Sequence, residues 1–139
     1  MNFWDSSAVL PLLVEEERTP DRREKLRDDP RMIVWWACRL ECASTLNRLH
    51  REGNLADEGL ADALGALEAL SAGWYEVQPT SEVRARAMRL LRVHPLRAAD
   101  SVQLAAALVA TSEDPSHLPF YTDDDRLREA ARKEGFAVA

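Results

Sequence analysis

Short apolar runs alternate with longer amphipathic stretches along the whole chain. Asn2-Phe3-Trp4 is an apolar run that stops at Asp5-Ser6-Ser7, which reads as a strand ending at a helix N-cap. Ala8 to Val14 then reads as a short helix, bent or restarted near Pro11. After the acidic stretch Glu15-Glu16-Glu17, Thr19 caps and Pro20 opens a second helix that ends before Pro30. Arg31 to Trp35 has strand composition. A helix follows from about Ala37 to Arg51, closed by Gly53, with an expected apolar stripe of Leu40, Ala43, Leu46 and Leu49. Asp57 is the expected cap of the next helix, which carries Leu60, Leu64, Leu67 and Leu70 and stops at Gly73.

The second half repeats the alternation. Trp74 to Val77 reads as a strand ending before Pro79, and Thr80 or Ser81 caps a helix through about Leu91. His94-Pro95-Leu96 breaks the pattern, and Ala98 to Thr111 is a strongly apolar helix. A polar loop from Thr111 to Pro119 leads to a strand at Phe120-Tyr121-Thr122 and a helix from Asp125 to Glu134, with Gly135 as its C-cap. Phe136-Ala137-Val138 is expected as a last short strand. Strands that alternate with helices in this way form a parallel sheet covered on both faces, an α/β fold with right-handed crossovers.

Composition sharpens this picture without changing it. A length of 139 residues fits one domain, and 46% hydrophobic residues suffice for one core. No apolar run is long enough to span a bilayer, and Met1 to Asp5 lacks the basic start and apolar stretch of a signal peptide, so the expected location is the cytoplasm. Cys38 and Cys42 lie on neighbouring turns of one helix with no histidine or second cysteine pair nearby, which argues for reduced thiols rather than a zinc site. The formal net charge of −6 is not that of a protein that holds nucleic acid by bulk electrostatics. All basic residues except Lys25 and Lys133 are arginine, and only Arg84, Arg86, Arg89 and Arg92 are grouped.

Candidate chemistry lies in the acids. Ligands of open α/β sheets gather at the carboxyl ends of the strands. Asp5 follows the first strand, Asp123-Asp124-Asp125 follows the strand at Phe120, and Glu41 lies early in the helix after Trp35. Taken singly, Asp5 reads equally as an N-cap, Glu41 as a solvated side chain, and one of the three consecutive aspartates as a cap. Asp100 is different, because it lines up with Leu104, Ala107 and Leu108 on an apolar stripe. A carboxylate there needs a cation, either Arg97 or a divalent metal. Clustered carboxylates remain ionised together around a cation, and oxygen donors select Mg²⁺ or Mn²⁺. Such an ion activates water and offsets phosphoryl charge, which fits phosphodiester hydrolysis. A receiver-like phosphoacceptor site is disfavoured, since neither Lys25 nor Lys133 is placed to complete it.

Four segments together resemble PIN-domain nucleases, and among them the VapC-type toxins of prokaryotic toxin–antitoxin pairs. They are Phe3-Trp4-Asp5-Ser6-Ser7, Leu40-Glu41 within Cys38 to Ala43, Leu96 to Ala107 around Asp100, and Phe120 to Leu127 followed by Ala130-Ala131 and Gly135. The resemblance covers essentially the whole chain, residues 1–139, as a single PIN domain. It implies a three-layer sandwich around a parallel sheet of about five strands, and metal-dependent cleavage of RNA. It implies that Asp5, Glu41, Asp100 and Asp124 hold one or two Mg²⁺ or Mn²⁺ ions. The fourth acid is placed at Asp124 by its spacing from Thr122; Asp123 stands where the family often has an apolar or aromatic residue. Ser7 and Thr122 are implied to orient a ligand or a metal-bound water. A homodimer and a cognate antitoxin follow from the same resemblance, with Leu10 to Val14, Trp35 and Trp36 read either as partner contacts or as core. The alternatives are a PIN nuclease of RNA processing without an antitoxin and a degenerate PIN module that only binds partners.

Overall fold

The computed structural model describes residues 1–112 and 114–139. Four short strands, β1 (Asn2–Trp4), β2 (Met32–Trp35), β3 (Tyr75–Val77) and β4 (Phe120–Tyr121), form one sheet in the order β3-β2-β1-β4. Every pairing is parallel, with Phe3 opposite both Ile33 and Phe120. Seven α-helices connect them among the described residues: α1 (Ser6–Leu13), α2 (Thr19–Asp28), α3 (Cys38–Arg51), α4 (Asp57–Ser71), α5 (Ser81–Val93), α6 (Ala98–Ala110) and α7 (Asp125–Lys133).

Successive strand side chains point to opposite faces, and both faces are covered. Phe3, Ile33, Trp35, Val77 and Phe120 join one core with Val83, Ala87 and Leu90 of α5, the Leu104–Leu108 run of α6, and Leu127, Ala130 and Ala131 of α7. Trp4, Met32 and Val34 join a second core with Ala8 and Val9 of α1, Cys38 and Cys42 of α3, and Leu67 of α4. The result is a three-layer α/β sandwich. It explains why β2 is a continuous apolar run rather than an alternating one: burial on both sides leaves it no solvent face, whereas the edge strand β3 exposes Tyr75.

The expected strand at Phe136 to Val138 is not formed, so the sheet has four strands rather than about five. Val138 makes a single parallel bridge to Phe120, supported by Phe120 N–H donating to Ala137 O at 2.8 Å and Ala139 N–H donating to Phe120 O at 3.1 Å. Phe136 turns instead into the core against the Phe120 ring, with centroids 5.5 Å apart. The stripe expected on α3 is also corrected. Leu40 is 68% exposed, and the buried seam runs through Cys38, Cys42 and Leu46. The small thiols let α3 lie close against Trp4 and Val34.

Several caps differ from expectation. Asp57 does not cap α4, whose N-cap is Ala56, and its carboxylate meets His50 at 2.6 Å instead. Thr19 begins α2 rather than capping it. Its hydroxyl donates to Pro11 O at 2.6 Å and accepts from Glu16 N–H, tying α2 to the end of α1. Helix α1 runs through Pro11 without interruption.

Candidate functional site

Asp5 directly follows β1 and caps α1, so one residue is fixed by both elements. Its Oδ2 accepts from Ser7 N–H at 3.3 Å, Ser7 Oγ at 2.5 Å and Thr122 Oγ1 at 2.9 Å. Both hydroxyls also accept backbone N–H groups, Ser7 Oγ from Asp123 and Thr122 Oγ1 from Asp124. The tips of β1 and β4 are thereby knitted around one carboxylate oxygen, leaving Oδ1 without a hydrogen bond from the described residues. Burial raises the Asp5 pKa against the pull of the Ser7 and Thr122 hydrogen bonds, and Asp100 raises it further.

The three consecutive aspartates have three separate tasks. Asp123 pairs with the Arg22 guanidinium, which is itself fully buried and also donates to the carbonyls of Thr122 and Ala139. Asp125 pairs with Arg128 at 2.5 Å, and Arg128 donates to Thr122 O at 2.7 Å. Asp124 caps α7 through Oδ1, which accepts Leu127 N–H at 2.9 Å, and its charge bears on Asp100. The cap reading and the site position therefore fall on the same residue.

Asp100 stands in the first turn of α6, half-buried, while Leu104, Ala107 and Leu108 on its stripe are buried. Among the described residues it forms no ion pair, with Arg97 or any other cation. Burial and then Asp124 raise its pKa, opposed by Arg97 and Arg126.

Glu41, in the first turn of α3, is held by two residues that sequence reasoning passed over. Its Oε1 accepts from Ser6 Oγ at 3.1 Å and from Gln103 Nε2 at 2.8 Å, and Gln103 Nε2 also donates to Ser6 Oγ at 2.9 Å. Gln103 is 1% exposed, one turn beyond Asp100, and its Oε1 has no hydrogen-bond partner. A lone amide inside the apolar run Ala98 to Ala110 was the signal that could have found it. Burial pushes the Glu41 carboxyl up to about 7, with Asp5 and Asp100 adding to the rise and Ser6 and Gln103 opposing it.

The structure thus brings Asp5, Glu41, Asp100 and Asp124 to the carboxyl end of the sheet, each within electrostatic reach of at least one other. The family model described as "PIN domain" matches residues 3–133. The chain belongs to the PIN domain family. PIN domains are in general nucleases, hydrolases of nucleic-acid phosphodiesters that use divalent metal ions, and nuclease-type function is what membership implies here. A search of curated proteins found no match. No helix of the described residues is long and apolar enough to cross a membrane.

Within this PIN domain the fit of a metal is a question of donors and spacing. The four side chains offer only carboxylate oxygens, the ligand type of Mg²⁺ and Mn²⁺. Among the described residues, no three acidic, histidine or cysteine side chains converge closely enough to hold one ion. Carboxylates with no cation among them repel, and the raised pKa values of Asp5, Glu41 and Asp100 register that repulsion together with burial. The donor chemistry fits a hard divalent ion.

Proposed function

We propose that this PIN domain, a single domain over residues 1–139, is a Mg²⁺- or Mn²⁺-dependent endoribonuclease of the cytoplasm, acting as the VapC-type toxin of a toxin–antitoxin pair. The observation that carries the nuclease reading is the gathering of Asp5, Glu41, Asp100 and Asp124 at one end of the sheet, with three of the four shifted toward the protonated form. Such groups gain more from a bound cation than solvated carboxylates do. The degenerate-module reading is disfavoured by the same intact set. The toxin reading rests on the motif runs around Asp5, Glu41, Asp100 and Asp124.

Asp5, Glu41, Asp100 and Asp124 would hold a divalent ion, which when bound would activate water and offset charge on the phosphoryl group. The chain's own residues prepare that site. Ser7 and Thr122 hold Asp5 in one orientation through Oδ2 and leave Oδ1 without a hydrogen bond among the described residues. Ser6 and Gln103 fix Glu41 through Oε1 and leave Oε2. Asp124 gives Oδ1 to the helix cap and leaves Oδ2. Asp5, Glu41 and Asp124 thus each have one oxygen engaged in orientation and one available.

Partner contacts belong to the same proposal. Trp35 is core at 8% exposure, but Trp36 is 48% exposed and lines a hollow with Ala37, Arg39, Leu40, Ala43 and Glu76. That hollow is offered to the antitoxin, together with the half-exposed end of α1. The exposed Met88, Leu91 and Val93 of α5 are offered to a second copy in a homodimer.

Gln103→Leu tests the orientation argument. It removes the amide that holds Glu41 and leaves the fold's apolar volume in place. Mn²⁺ binding measured by calorimetry should weaken about 10–100-fold, the usual effect of losing a group that orients a metal ligand. Unchanged affinity would remove Gln103 from the site. For the function itself, the purified protein is incubated with total RNA in Mg²⁺, Mn²⁺ or EDTA. It is then co-expressed with the product of its neighbouring open reading frame. Metal-dependent cleavage that this neighbour silences supports the toxin; cleavage that no neighbour silences assigns the protein to RNA processing instead.

A further inference from the structure

The geometry points to Arg97 and Arg126 as a two-guanidinium clamp for a phosphodiester of single-stranded RNA, set beside the acids. The inference rests on the nuclease reading and assigns the residues that receive the substrate's charge.

An open cleft of about 480 Å³ is lined by Arg97, Ala99, Asp100, Asp124, Asp125 and Arg126. It therefore contains two of the four acids and two arginines. Neither arginine forms an ion pair among the described residues, and both are exposed. Three other arginines near these acids are committed: Arg22 to Asp123, Arg18 to Asp21 and Asp123, and Arg128 to Asp125 and the Thr122 carbonyl. Asp125, the third acid of the cleft, is thus already neutralised from outside it.

The positions of the two arginines are unfavourable for the helices that carry them. Arg97 is the N-cap of α6 and makes no capping hydrogen bond, and Arg126 lies in the first turn of α7. Cations at a helix N-terminus oppose the helix dipole, and Arg is a poor cap. Helix stability therefore does not explain either residue. Both arginines line one cleft from two helix starts and bear electrostatically on Asp100, yet among the described residues neither is within ion-pair distance of the cleft's aspartates. Their guanidinium forks are left to bind a phosphate diester, which matches a fork with two oxygens.

The electrostatics of the substrate demand such a device. The chain carries a net charge of −6, and the acids add a local negative field that an RNA backbone must approach. Arg97 and Arg126 share their cleft with Asp100 and Asp124 and so put positive charge beside those acids.

The test is equilibrium binding of a short fluorescein-labelled single-stranded RNA to the full chain, in EDTA, across a salt series. Wild type is compared with Arg97→Gln/Arg126→Gln, with the corresponding double Lys variant, and with Arg51→Gln, an exposed arginine at the far end of α3. The clamp predicts that the double Gln variant binds about tenfold more weakly or worse. Its log–log salt slope should be shallower by about 0.7, the value for one phosphate contact on a single strand. The Lys variant should keep the slope and recover part of the affinity, and Arg51→Gln should match wild type. In Mn²⁺, the double Gln variant should lose kcat/KM mainly through KM, with its Mn²⁺ affinity and melting temperature not lowered. If wild type cuts RNA and the double Gln variant binds with the same slope, the clamp is wrong and the nuclease reading stands. If wild type neither binds nor cuts RNA, the nuclease reading fails and the clamp fails with it.

Discussion

Asp100→Asn should lower RNA cleavage by about 10²–10³-fold or more, the cost of removing one preorganised charge from a reacting centre, and should at the same time leave the metal-free protein equally or more stable. The two effects have one cause. Asp100 is half-buried with no cation paired to it, and burial and Asp124 both push its pKa up. The isosteric amide removes that repulsion, which stabilises the metal-free fold. On the proposed reading it also removes a ligand oxygen carrying full charge. A gain of about 1 kcal/mol raises Tm by about 3–5 °C in a domain of this size. A structural aspartate would behave oppositely, losing stability with little loss of activity beyond that. Cleavage rates and thermal melts in EDTA on the same preparations separate the two. Sites built for function commonly show this exchange of stability for activity.

The second large effect is a pH dependence that runs against the usual one. Burial pushes the Glu41 pKa above its ordinary value, up to about 7, and Asp5 and Asp100 are shifted in the same direction. Groups with a raised folded-state pKa bind more protons folded than unfolded. Their stabilisation is full below the unfolded value and is lost as pH rises through the folded one. Without metal, the fold should therefore weaken between about pH 4.5 and pH 7.5, by on the order of 2–3 kcal/mol after allowance for partial solvation. The paired carboxylates Asp21, Asp29 and Glu129 have lowered pKa values and act in the opposite sense, below about pH 4.5. Urea unfolding in EDTA at pH 5 and pH 8 measures the difference. Adding Mn²⁺ should reverse the order, stabilising strongly at pH 8 and little at pH 5, because the ion must displace the protons that Glu41 and its neighbours hold. Stability that rises from pH 5 to pH 8 in EDTA would show that the acids are not electrostatically frustrated.

Much of this arrangement is legible in the chain, and the exceptions have physical reasons. The runs at Phe3, Ile33 and Phe120 announce strands because both faces of the sheet are covered and every position is apolar. Asp100 stands out because a charge interrupts an apolar helical stripe. Glu41 does not stand out: what distinguishes it is contact with Ser6 and Gln103, which lie 35 and 62 residues away in the chain. Arg22 was invisible for a similar reason. It lies on a polar helix and is buried only because Tyr121, Thr122 and Asp123 close over it. On α3 the leucines are the conspicuous apolar residues, but the buried seam is Cys38, Cys42 and Leu46, with both thiols packed in the cluster around Trp4. Spacing from Thr122 points to Asp124 among the three consecutive aspartates, but the pairing of Asp123 with Arg22 and of Asp125 with Arg128 shows only in the structure.

The most direct test of the metal-dependent nuclease assignment is the cleavage of a 5′-labelled single-stranded RNA by the purified protein, in Mn²⁺ and in EDTA, beside Asp100→Asn and Glu41→Gln. The assignment predicts discrete internal cuts by the wild type in Mn²⁺, none in EDTA, and none above background from either variant in Mn²⁺. Cleavage that persists in EDTA, or full activity in either variant, would contradict it.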